Sequence, residues 1–128
     1  MSEFAIVNLK DLEDAVSSRV PGIEGRFGRG QLGSEHLGVS HFRYAPGMRA
    51  SGGHHHREQE EVYIVVAGSG RILLDGDAHD LRQWDAVRIS PSVVRAVEAG
   101  PDGLEFVAIG SDRPEGGDGT QVPVEWPD

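Results

Sequence analysis

The chain has 128 residues, the size of one domain with a single core. A formal charge of −9 and a pI near 5.0 argue against a nucleic-acid footprint and against an anionic membrane surface. Cysteine is absent, which removes disulfides and thiol chemistry, and no apolar run reaches the length of a bilayer.

The sequence contains 18 glycines, about twice the usual frequency, scattered between short apolar runs. That pattern predicts many turns and an all-β architecture. No basic start followed by an apolar segment is present, so a cytosolic location is the default expectation. Phe4 to Leu9 reads as a short strand, and Asn8 as the cap of a helical turn with Leu9, Leu12 and Val16 on one face. Pro21-Gly22 breaks the chain, and the Gly-rich residues 22–35 read as a solvated connection. Leu37 to Tyr44 is the next strand, ended by the Pro46-Gly47 turn.

Val62 to Ala67 and Arg71 to Leu74 follow as strands on either side of Gly68-Ser69-Gly70. Asp75-Gly76 is a two-residue hairpin signal returning through Ala78 to Leu81. Trp84 is expected to plug the core, ahead of a strand with Ala86, Val87 and Ile89. Pro91 interrupts, Val93 to Val97 resumes, and Gly100-Pro101-Asp102-Gly103 turns the chain into Leu104 to Ile109. In that last strand Leu104, Phe106 and Ala108 share a face opposite Glu105. Eight to ten short strands at close spacing predict a sandwich or barrel. The tail from Ser111 reads as a disordered terminus, or as an arm packed on its own barrel or on a neighbour.

The chemistry concentrates at Gly53-His54-His55-His56-Arg57-Glu58-Gln59-Glu60-Glu61. Side chains alternate along a strand, so His54 and His56 share one face and His55 takes the other. Two imidazoles and a carboxylate converging from neighbouring strands make a ligand set for a divalent metal. Glu60 and Glu61 both fall within reach, but only Glu61 has Gly68 at the right distance. A solvated histidine loop without a ligand is the plain alternative. No Ser-His-Asp or Cys-His pattern and no phosphate-cradling glycine loop is visible.

The order His-x-His, four residues, Glu, six residues, Gly resembles the first motif of the cupins. Over residues 35–110 the strand blocks and hairpin resemble a small single-domain bacterial cupin, which implies a double-stranded β-helix, or jelly-roll barrel. Residues 1–34 would then be an N-terminal arm and 111–128 a C-terminal tail. The resemblance further implies a homodimer, a small-molecule ligand, and a metal (Fe, Mn, Ni or Zn) at His54, His56 and Glu61. The second cupin motif fits only in part. Ser92 stands at its turn glycine, Arg95 at its metal-binding histidine and Ala99 at its asparagine.

Arginine stays protonated and offers no lone pair, so Arg95 cannot be a ligand. Three arrangements follow. The two histidines and Glu61 hold a metal while Arg95 clamps an anionic substrate group. Arg95 pairs with Glu61 in a metal-free pocket. Or Arg95 points out of the barrel. Tyr63 shares a face with Glu61, and His41 lies on the preceding strand; both are candidate substrate contacts, with a structural role the alternative for each. The expected activity is a dioxygenase, isomerase or lyase reaction on a small anionic or oxygenated molecule. The competing expectation is a non-enzymatic ligand-binding cupin.

Overall fold

The computed structural model describes residues 3–128. Its elements are β1 (Ile23–Phe27), a short helix α1 (Arg29–Leu32), β2 (Gly38–Tyr44), β3 (Gly53–His56), β4 (Glu61–Leu74), β5 (Asp77–Arg82), β6 (Ala86–Ile89), β7 (Arg95–Gly110) and β8 (Gly119–Val122). All eight strands join one curled antiparallel sheet, with β7 at its centre. Residues 104–110 of β7 pair with β2 on one side and with the first half of β4 on the other. Its residues 95–99 pair with the second half of β4, while Arg95 pairs with His54 of β3. The sheet therefore folds over itself as a jelly-roll barrel.

Each of the two longest strands was expected as two. Both run through their glycine-rich centres because the pairing merely shifts register there, between Val65 and Ala67 and again between Gly68 and Gly70. Gly68 has φ 73°, and a Cβ on it would lie 2.1 Å from the carbonyl oxygen of Gly103. Only glycine fits this close crossing of β4 and β7. The Asp75-Gly76 hairpin forms as expected, with both φ angles positive as a type I′ turn requires.

The core is the inward face of β4 and β7. Tyr63, Val65 and Ile72 from the first meet Val97, Ala99, Leu104, Phe106 and Ala108 from the second, closed by Leu81 and Ile89. Phe106 is its aromatic hub, stacked on Phe42 at 5.2 Å and tilted against Tyr63 at 5.0 Å. The alternation of Leu104, Phe106 and Ala108 against Glu105 holds.

Other expectations are corrected. Phe4 to Leu9 is not a strand: the regular structure there is a 3-10 turn, Leu9–Asp11, capped by the Asn8 side chain on the Lys10 N–H. Residues 22–35 are not merely a connection, because β1 pairs with β2 and α1 follows it. Trp84 does not plug the core. It has φ 74° and its backbone N–H donates to the carbonyl of Val65, a turn geometry that leaves the residue 71% exposed. Of the alternatives for the tail, the arm on the chain's own barrel is the one found: β8 pairs with β3, and Trp126 lies against the guanidinium groups of Arg49 and Arg71 at 4.8 and 5.3 Å. No helix among the described residues is long and apolar enough to cross a membrane.

Candidate metal centre

Strand alternation does what the His-x-His spacing implies. His54 and His56 project from the same face of β3, their rings edge to face at 5.1 Å. Glu61 opens β4, and one donor atom from each of the three residues lies within 4.8 Å of the others. His56 Nε2 is 3.1 Å from Glu61 Oε1, and His54 Nε2 is 3.8 Å from it.

The imidazole of His56 is held from behind. Its Nδ1 lies 2.9 Å from the carboxylate of Asp118, whose other oxygen accepts the backbone N–H groups of Arg57, Glu58 and Gln59 at 2.6–3.1 Å. Burial works to raise the pKa of Asp118, but these backbone donors and His56 outweigh it and hold the carboxyl well below the usual range. Asp118 takes up Nδ1 as its partner and so turns the buried Nε2 toward the triad. An imidazole nitrogen aimed in this way beside a second imidazole and a carboxylate fits a divalent transition metal.

Glu61 balances opposing influences. Burial would raise its pKa, yet the neighbouring His54, His56 and Arg95 together leave it below the ordinary carboxylate value. Tyr63 lies on the same face of β4 and its hydroxyl donates to Glu61 Oε1 at 3.4 Å. Burial, and then the charge of Glu61, push the phenol well above its ordinary pKa, so it remains a donor.

Arg95 shares the inward face of β7 with Val97 and Ala99, and is 1% exposed. Its Nη2 donates to the Ser90 carbonyl at 3.0 Å, and its Nη1 lies 3.7 Å from Glu61 Oε1. It points into the barrel. His41 does not reach the triad. It alternates with Ser40 and Phe42, which do line the cavity, and so turns to the other face, where its Nε2 meets Glu105 at 2.6 Å. His79 is exposed on its hairpin.

A cavity of about 450 Å³ opens on the triad. His54, His56, Glu61 and Tyr63 form its floor, Ser40, Gln59 and Gln121 add polar walls, and Arg29 and Arg113 stand among its lining. Asp118, Arg29 and Arg113 were not singled out from sequence as site residues. Asp118 lies in the tail, 62 residues from His56, with no motif to tie it there.

The cupin domain model matches residues 40–110. No curated protein sequence matches the chain. Among solved structures, a cupin protein from Bacteroides fragilis is 23% identical, covering 89% of this chain and 88% of its own, with a TM-score of 0.73. The polyketide cyclase RemF from Streptomyces resistomycificus is 20% identical over 94% and 87% of the two chains, with a TM-score of 0.75. Oxalate decarboxylase from Bacillus subtilis is 21% identical with a TM-score of 0.75, covering 92% of this chain but only 33% of that one. At these identities the likeness is one of fold.

Proposed function

This chain belongs to the cupin family, and we propose that it acts on a small anionic or oxygenated molecule beside a divalent metal held by His54, His56 and Glu61. The observation that carries this reading is the convergence of one donor atom each from His54, His56 and Glu61 within 4.8 Å, with the His56 ring anchored from behind by Asp118. A metal there supplies Lewis-acid polarisation of a substrate oxygen or activation of dioxygen, the chemistry of an oxygenase, isomerase or lyase.

The chain's own residues do the rest. Asp118 fixes the plane of the His56 ring through Nδ1. Tyr63 and Arg95 stabilise the anionic form of Glu61. Arg29 and Arg113 add two cations to a cavity lining that otherwise carries the carboxylates of Glu61 and Asp118, and they are the groups an anion would meet. Two neighbours in fold act, by name, on a polyketide and on oxalate, and we extend to this chain only the class these share, a small oxygen-rich molecule.

A second reading rests on the 3.7 Å approach of Arg95 Nη1 to Glu61 Oε1. The guanidinium then neutralises Glu61 in place of a metal, and the barrel is a non-enzymatic binding pocket. Elemental analysis of protein purified without a nickel column or chelator separates the two. Near-stoichiometric metal, lost in the doubly substituted His54→Ala, His56→Ala protein, supports the metal centre. Trace metal in both samples overturns it in favour of the salt-bridged pocket.

A further inference from the structure

A second, smaller cavity of about 200 Å³ lies against the triad, and Arg95 lines it. Phe42, His54, Tyr63 and Gln121 line both cavities, so these side chains form the partition between them. Ile23, Tyr44, Val97 and Phe106 make the inner cavity largely apolar, and Arg95 is the only cationic side chain in its lining apart from a protonated His54.

Arg95 is unfinished as a donor. Only its Nη2 has an acceptor, while Nε and Nη1 are buried with no hydrogen-bond partner. Buried guanidinium donors without acceptors are costly, and native structures rarely leave them so. Among the described residues Glu61 is the only carboxylate within ion-pair distance of Arg95. If Glu61 serves a metal, Arg95 is left as a buried cation facing an apolar chamber with no counter-ion of its own.

We propose that this inner chamber binds a monocarboxylate with an apolar body, its carboxylate on Arg95 and its body against Val97 and Phe106. The carboxylate supplies the missing charge and, with a shift of the side chains that cover Nε and Nη1, a missing acceptor. With no second arginine or lysine in the lining, one negative charge is what the chamber can hold, and the apolar walls select against sugars. The ligand then lies against His54 and Tyr63, which line the outer cavity on their other side. This assignment narrows the substrate class of the metal-centre reading and rests on it for its chemistry, although its binding step stands alone.

The test uses benzoate as probe and benzamide as its neutral counterpart, titrated calorimetrically into the protein as purified and after chelation. Benzoate should bind saturably, and Arg95→Gln should weaken it about ten- to a hundredfold, as loss of hydrogen bonds to a charged group predicts. Benzamide should bind weakly and be indifferent to the substitution. Equal affinity for the two probes, no saturable benzoate binding, or unchanged binding in Arg95→Gln overturns the proposal.

Because Arg95→Gln removes a buried group and can compromise folding, the unaltered protein supplies a second readout. Benzoate ring protons should show nuclear Overhauser contacts to Val97 and Phe106; contacts to Phe27 and Arg113 instead place the probe in the outer cavity and overturn it. Arg95-dependent benzoate binding without stoichiometric metal upholds this assignment and sinks the metal centre alone. Stoichiometric metal without Arg95-dependent binding does the reverse.

Discussion

The carboxylate of Asp118 lies 2.9 Å from His56 Nδ1, on the side of the imidazole away from Glu61. A residue of the tail thereby sets the ring plane of a histidine on β3. Carboxylates in this position behind metal-binding histidines typically contribute ten- to a hundredfold in metal affinity. Asp118→Asn is expected to weaken Mn²⁺ or Zn²⁺ binding by about that factor, measured by competition with a calibrated chelator. Unchanged affinity would show that the ring needs no anchor.

Arg95 sits directly across from His54 in the β3–β7 pairing, which makes the cost of its charge measurable. Replacing a fixed cation with a neutral imidazole removes the repulsion and adds a nitrogen donor. Arg95→His should therefore raise divalent metal affinity, by about tenfold for each 1.4 kcal/mol gained. Lower or equal affinity would argue that the backbone at position 95 aims a shorter side chain away from the triad.

Tyr63 and Phe106 separate packing from hydrogen bonding. Tyr63→Phe keeps the ring against Phe106 and removes one hydroxyl, so it should cost only about 1 kcal/mol of stability. Phe106→Ala empties the hub shared by Phe42, Tyr44 and Tyr63 and should cost about 3–5 kcal/mol. Chemical denaturation of the two variants gives the comparison directly.

Glu98 provides a pH prediction away from the metal centre. It bridges Arg49 and Arg71, with Asp128 completing the group beneath Trp126. Burial pushes its pKa up, but the two arginines more than offset this and leave it below the ordinary value. A carboxyl with a depressed folded pKa contributes stability that is present above its unfolded pKa, about 4.3, and is lost as pH falls through the lower folded value. The melting temperature should therefore hold from neutrality to about pH 5 and drop below it. Glu98→Gln should melt lower at neutral pH and show a shallower acid fall; an identical profile would remove Glu98 from the account.

The sequence was most legible where chemistry follows strand periodicity. The spacing of His54, His56 and Glu61 put three donors together because alternation and one antiparallel return are enough to converge them. The choice of Glu61 over Glu60 rested on Gly68, and the structure shows why that glycine is needed. Trp84 was misread because size and hydrophobicity say nothing about a positive φ in the turn that carries it. His41 was ambiguous for the opposite reason: one residue of register separates the cavity face from the Glu105 face. Asp118 was invisible, since its role depends on β8 returning to β3, a long-range pairing that no local pattern announces.

That pairing also sets an order of events during synthesis. A ribosome releases β1 to β7, the whole barrel core, before it releases residues 118–122. The emerging chain can thus close its barrel around His54, His56 and Glu61 while His56 still lacks its anchor. Only when β8 aligns with β3, and Asp118 meets the amides of Arg57, Glu58 and Gln59, is the His56 ring held from behind. The anchor of His56 is thus the last long-range contact of the site to become available in chain order.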